Sequence, residues 1–308
     1  MKRIVIFILA LLICFAVTSC FLRKTVSFGN NLVTYDNYAD AGKYTSGSFS
    51  YRATDVKKIS LDYVSGNVNV RQSDSKVMDV SETGNNISEA QAMHWYLDGD
   101  TLRIKFCKSG YKGSIPQKTL DLDIPFGVEL EIGMTSGDVT FLTDVDAGKT
   151  SLGSTSGDWK IKSLRCADFE AGSTSGNTNI DALYAEDVKF GSTSGNTSIG
   201  TLVVSDADFG ATSGSLSVTS VSCDSLDIGC TSGTITLGLE KCKKLKIGCT
   251  SGDVTLSRLP EGGATIEYDH TSGSLKADGY MMQGGKMVYG NGACRMEITT
   301  TSGDLTIK

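Results

Sequence analysis

Residues 187–253 read DVKFGSTSGNTSIGTLVVSDADFGATSGSLSVTSVSCDSLDIGCTSGTITLGLEKCKKLKIGCTSGD, and within them the tripeptide Thr-Ser-Gly returns every 19 residues. Outward from this stretch its glycines fall at Gly137, Gly157, Gly176, Gly195, Gly214, Gly233, Gly252, Gly273 and Gly303, with successive spacings of 20, 19, 19, 19, 19, 19, 21 and 30. Fixed-period self-similarity of this kind marks a repeat architecture.

Alignment on the glycine produces columns. Seven residues before it stand Leu130, Thr150, Phe169, Val188, Ala207, Leu226, Leu245 and Ile266; four after it stand Phe141, Ile161, Ile180, Ile199, Val218, Leu237, Leu256 and Ala277. Further mostly apolar columns lie five before and two after, alternating with polar ones. A period of two is that of strands with one buried face. No 3.6-residue pattern interrupts it, so helical repeats are excluded.

A repeat this short cannot bury its own apolar face, and neighbours must stack on it at the ~4.8 Å strand spacing. The expected fold is an all-β, parallel β-solenoid: a single-stranded β-helix of about 19-residue coils, right-handed as parallel crossovers are. Gly137 and its eight counterparts are expected at corners, where a residue without Cβ is needed.

The rest of the chain is organised around this ladder. Residues 1–20, MKRIVIFILALLICFAVTSC, carry Lys2 and Arg3 before an apolar run and read as an export signal. The alternative of a retained anchor is disfavoured by the shortness of that run. Residues 21–54 read as a polar tether, 55–128 as an irregular N-terminal cap with the first coils, and 129–308 as the regular Thr-Ser-Gly solenoid. Around Tyr280 to Asn291 an insertion before the final turn is placed to decorate or cap the far end.

Two resemblances add to this reading. Val17-Thr18-Ser19-Cys20 resembles a bacterial lipoprotein box, which implies lipid on Cys20 and a membrane-held N-terminus outside the cytoplasm. Ordinary cleavage near Ser19 is the alternative. Residues 57–308 resemble the putative-adhesin domain family of bacterial cell-surface β-solenoids. The motifs are Ile59-Ser60-Leu61-Asp62 leading to Ser65-Gly66, Asp100-Thr101-Leu102-Arg103-Ile104, Leu122-Asp123-Ile124-Pro125, the Thr-Ser-Gly ladder, and the closing Tyr289-Gly290-Asn291-Gly292. The resemblance implies a surface protein, for some members a link to envelope stress, and it carries over no catalytic residues.

Composition narrows the chemistry. The 308 residues include 35 glycines, 9 cysteines and only 2 histidines, at net charge −6. Without a basic tract, capture of nucleic acid is not expected. His270 reads as a core or corner residue, and His94 stands beside Trp95 and Tyr96 in the irregular region. No constellation of nucleophile and base, and no metal-ligand spacing, stands out, so neither cofactor nor metal is expected.

Cys223 with Cys242, and Cys230 with Cys249, share repeat columns; they read as small buried hydrophobes, with stacked disulfides as the alternative. Asp138, Asp158, Asn177, Asn196, Asp253 and Asp304 follow their glycines and read as turn residues rather than a calcium ladder. Lys241, Lys243, Lys244 and Lys246 form the one basic cluster, either a solvated strand face or a patch for anionic lipid or wall polymer.

The expected function is a non-enzymatic, lipid-anchored surface protein, an adhesin or binding scaffold for a cell-wall, glycan or protein ligand. Trp95, Tyr96 and the lysine cluster are the candidate binding surface. An envelope-stress regulator acting through protein contacts and a polysaccharide-active enzyme are the alternatives.

Overall fold

The computed structural model describes residues 26–29, 32–277, 280–284 and 286–308. The signal segment, Cys14 and the proposed lipid site Cys20 lie outside the described residues. The described chain is all-β apart from the short 3-10 turns Ala41–Lys43 and Ala53–Asp55. It packs as two compact units that meet in sequence at Ala167 and Asp168.

The unit from Asp168 onward is a β-solenoid-like ladder of parallel strands. Strand Asp187–Ser194 pairs with Asp206–Ser213 in perfect column register, Val188 on Ala207 and Phe190 on Phe209. The next rung repeats it, with Ala207 on Leu226 and Phe209 on Ile228. A second run of rungs places Ile180 on Ile199 and Ile199 on Val218. These inward columns are buried throughout, as the period of two requires. A third buried column, Leu183, Leu202, Val221 and Leu239, stabilises the same core.

At the corners, Gly195, Gly214 and Gly233 have φ between 126° and 137°. A Cβ on Gly214 would lie 2.0 Å from the carbonyl oxygen of Gly195. Glycine is therefore required twice over, by dihedral and by the approach of the rung beneath.

The far end of this unit departs from chain order. Strand Cys294–Ser302 pairs on one side with the rung at Lys244 to Ser251 and on the other with Ala264–Ser272. Likewise Leu305–Ile307 lies between Val254–Arg258 and Leu275–Ala277. The final coil is thus inserted beneath the coil that precedes it, and the Gly273 coil is outermost. That position corrects two expectations. Leu275, at a core column, is exposed, and His270, expected in core or corner, is exposed and stacked on Tyr268 at 4.7 Å. Both lack a further rung to cover them. The insertion forms the antiparallel pair Met281–Gln283 and Lys286–Tyr289, the latter also pairing with Ala264–Ser272.

The other unit, described over residues 26–29 and 32–167, is parallel only at its centre. Glu129–Met134 pairs in parallel with Thr150–Ser154 and with Lys58–Tyr63, and Val139–Asp146 with Trp159–Arg165 and Asn67–Gln72. Beyond these, Thr101–Lys105 and Lys118–Ile124 add parallel rungs out of chain order. The edge then turns antiparallel. Val77–Gly84 pairs with Lys118–Ile124 and Phe49–Arg52, while His94–Asp98 pairs with Thr101–Lys105 and Thr45–Ser46. Antiparallel pairs, one of them the hairpin of His94–Asp98 and Thr101–Lys105, form this cap.

A buried ion pair pins the cap. The Lys118 side chain is fully buried, its Nζ 2.8 Å from Glu82 Oε1, and it donates to the carbonyls of Gln91 and Phe106. Glu82 also accepts from Tyr63 Oη at 2.6 Å and from the Met93 amide at 2.8 Å. Such a pair survives only because every lone pair and proton finds a partner. Burial holds the Lys118 ammonium below the ordinary lysine range.

The tether reading of residues 21–54 fails over the described residues of that stretch. Val26–Gly29, Leu32–Tyr35, Thr45–Ser46 and Phe49–Arg52 are strands, and Val33, Tyr35 and Ala53 are buried. Between Leu32–Tyr35 and Thr45–Ser46 the polar residues form a turn and the 3-10 turn Ala41–Lys43, which break any strand alternation.

Candidate ligand-binding cleft

The residues 35–44, read as part of the tether, build the wall of a cleft of about 490 Å³. Tyr35 ends a strand, and its amide donates to the Tyr111 carbonyl at 2.8 Å. Tyr38 is held by its amide to Ser109 Oγ at 3.1 Å and by its hydroxyl, which donates to the Cys107 carbonyl at 3.2 Å. Tyr44 flanks the 3-10 turn that begins after Asp40, whose φ of 58° is tolerable for an aspartate in a turn.

The opposite wall comes from the cap strands. Antiparallel pairing sets Tyr96 opposite Arg103, and parallel pairing sets Asp62 opposite Lys105. Register therefore explains two ion pairs: Arg103 with Asp98 at 3.1 Å and Lys105 with Asp62. A third joins Lys43 to Asp40 at 3.1 Å.

Four tyrosines run through the site in edge and tilted contact. Ring centroids are 6.1 Å apart for Tyr35 and Tyr38, 4.7 Å for Tyr38 and Tyr44, and 5.6 Å for Tyr44 and Tyr96. Lys43 Nζ lies 5.4 Å from the Tyr96 ring and Lys105 Nζ 5.9 Å from the Tyr38 ring. Burial pushes the phenols of Tyr35, Tyr38 and Tyr44 above the ordinary tyrosine value, so they remain protonated donors at neutral pH.

Of the residues singled out from sequence, Tyr96 lines the cleft and Trp95 does not. Trp95 stacks on Phe49 at 3.9 Å and meets Tyr51 edge-on, so it packs the cap instead of offering a platform. Lys241, Lys243, Lys244 and Lys246 belong to the ladder unit. Lys243 pairs with Asp224 at 2.7 Å, and Lys246 stands between Asp227 and Glu297 in neighbouring strands. Lys241 stands opposite Ser222, and Lys244 between Ser225 and Arg295, so only Lys243 and Lys246 of the four have an acidic residue beside them.

The corner residues after the glycines act between rungs. Asp138 Oδ1 accepts from the Asp158 amide at 2.9 Å, Asn177 Oδ1 from Asn196 at 3.2 Å, and Asp253 Oδ1 from Asp304 at 2.9 Å. Their carboxylate and amide oxygens are engaged by the backbone. Among the described residues, no group of three or more metal-ligating side chains is assembled.

Cys107, Cys223, Cys230, Cys242, Cys249 and Cys294 are unbridged buried thiols. Cys223 Sγ and Cys242 Sγ lie 3.7 Å apart on stacked rungs, and contact with the Cys242 sulfur together with burial pushes the Cys223 and Cys294 thiols up.

Tyr35, Tyr38, Tyr44, Asp36, Asp62, Arg103 and Lys105 were not singled out from sequence. The available signal was the tyrosine spacing at 35, 38 and 44 inside an otherwise polar stretch.

With cleft and ladder described, comparison with known proteins becomes informative. Residues 56–308 match the model of the Toastrack family, DUF4097. The chain belongs to that family. The Toastrack match takes in the ladder unit and the other unit from residue 56 onward, leaving the cleft residues 35–44 outside it, and agrees with the resemblance drawn from the motifs between Ile59 and Gly303.

Solved structures similar to this Toastrack chain include a putative adhesin from Bacteroides fragilis NCTC 9343, at 13% identity and TM-score 0.45, with 85% of this chain and 96% of that one covered. A putative adhesin from Parabacteroides merdae ATCC 43184 gives 14%, 0.33, 87% and 94% for the same measures. For a putative cell adhesion protein from Clostridium sporogenes ATCC 15579 they are 10%, 0.23, 86% and 99%. No curated protein matches the chain significantly.

Proposed function

We propose that this Toastrack protein is an exported, non-enzymatic surface protein, a right-handed β-solenoid lipid-anchored through Cys20, whose tyrosine cleft is an adhesin-like binding site. The observation that carries this reading is the cleft itself. It has the volume of small-ligand sites, roughly 300–1,000 Å³, and its Asp40, Asp62 and Asp98 are each committed to an ion pair. Acid–base chemistry needs a carboxyl poised to exchange a proton; three of the four lining carboxyls are fixed in ion pairs as recognition groups, and Asp36 stands open to solvent.

The membrane is one partner in this reading, through lipid on Cys20; the other is a cell-wall, glycan or protein ligand, and nucleic acid is not among them. Among the described residues no helix is long and apolar enough to cross a membrane. Bacteria displaying the full chain are expected to adhere to host cells or wall fractions more than bacteria without it. Replacement Cys20→Ala is expected to move the protein from the membrane fraction to the medium. Equal adherence with and without the chain counts against the binding role, and unchanged fractionation counts against the anchor.

A further inference from the structure

Resting on that reading, we infer that the cleft bounded by Tyr35, Tyr38, Tyr44 and Tyr96 takes a neutral saccharide. Three features of the walls select this class. Every positive side chain of the walls is paired with a carboxylate and Asp36 is left over as an unpaired negative charge, so no positive field remains to draw a phosphate or a carboxylate. The chain's own ammonium groups at Lys43 and Lys105 sit over Tyr96 and Tyr38, where a quaternary ammonium ligand would need the rings for itself. What is left is the half-buried Tyr44 ring beside polar groups that both donate and accept, which suits a sugar ring with an apolar C–H face and a rim of hydroxyls.

One group is left with unmet capacity. Asp36, in the wall, has an exposed carboxylate with no ion-pair partner among the described residues, and next to it Asn37 adds an exposed amide. The Tyr35 hydroxyl, in a residue only 2% exposed, lies beneath the wall and is closed to a ligand. Vicinal sugar hydroxyls are the complement of a carboxylate and an amide side by side.

The test titrates the full chain against an array of neutral hexose and N-acetylhexosamine oligosaccharides, with sialylated and phosphorylated oligosaccharides and choline chloride as competing probes, alongside adherence of displaying cells. Binding is expected to at least one neutral oligosaccharide, weakened about tenfold by Tyr44→Ala, the size of a typical aromatic truncation in a binding site. Asp36→Asn, at an exposed position where folding is not at stake, is expected to weaken the same oligosaccharide several-fold, whereas Tyr44→Phe retains it. Binding confined to the charged oligosaccharides or to choline overturns the inference, as does neutral binding indifferent to both Tyr44→Ala and Asp36→Asn. Adherent cells whose protein ignores every neutral oligosaccharide overturn it while leaving the adhesive role standing; loss of both removes the adhesive role too.

Discussion

The ladder from Asp168 onward and the unit before it use the same strand chemistry to opposite ends. In the ladder each rung meets a near copy of itself, so one column of side chains and one corner glycine solve the packing problem repeatedly. In the other unit the rungs turn antiparallel at the edge, a buried Lys118–Glu82 pair sits among the apolar columns, and residues of the irregular turns line the cleft. Repetition gives rigidity without distinctive chemistry. Where the repeat breaks, side chains of different kinds are brought together, and a ligand site becomes feasible.

The sharpest way to break this contrast is at a corner. Gly214→Ala puts a Cβ against the Gly195 carbonyl at a left-handed φ, and a loss on the order of 5 kcal/mol is expected in denaturant unfolding. Gly99→Ala, with φ of 65° and open space around it, is expected to cost only about 1 kcal/mol. Equal losses at the two glycines would remove the claim that the ladder is governed by rung contact.

Next in size is the ion pair. Lys118→Met leaves Glu82 buried and uncompensated and is expected to cost about 4 kcal/mol, while Lys118→Met with Glu82→Gln recovers most of it. A double variant no more stable than the single one would deny the pair its coupling.

Tyr35→Phe is expected to stabilise the ligand-free chain by about 1 kcal/mol at pH 7, because it deletes an unsatisfied buried hydroxyl. Burial, then the nearby Asp62, raises the Tyr35 pKa in the fold above 10.0, so as pH rises beyond 10 the unfolded chain ionises first and the parent loses stability that it keeps below pH 10. Melting curves from pH 8 to 11 should therefore fall less steeply for Tyr35→Phe than for the parent. The smallest effect concerns the cysteines. Burial holds Cys107 up at about 12, and with Cys223 and Cys294 also pushed up, these thiols should react with a thiol reagent only after denaturation. Rapid labelling of the native chain would show that the rungs open.

Much of the ladder was legible because its information is local and repeated. Any one rung, such as Val188 to Phe190 before Gly195 and Thr197 to Ile199 after it, declares which side chains face inward, and the next rung repeats the statement. The strands at Lys58–Tyr63, Thr101–Lys105 and Lys118–Ile124 were legible for the same alternation. The cleft was not. Tyr35, Asp62 and Arg103 meet through pairings between segments far apart in sequence, and no local pattern announces which strand lies beside which. Tyr96 was found through its aromatic neighbours, and Trp95, found by the same signal, proved to be a packing residue.

By itself, then, the sequence determined the strands, the faces they bury and the glycine corners, since a period of two and a period of 19 act within and between adjacent rungs. Only the tertiary structure decided that Cys294–Ser302 enters beneath Ala264–Ser272, and that residues 35–44 close over Asp62 and Lys105. The reason is degeneracy. The closing run with its Thr-Ser-Gly carries the same alternation as the rungs it could join, so its hydrophobic pattern fits either side of the Gly273 coil. The choice rests on which placement covers the most apolar surface once every other rung is in place.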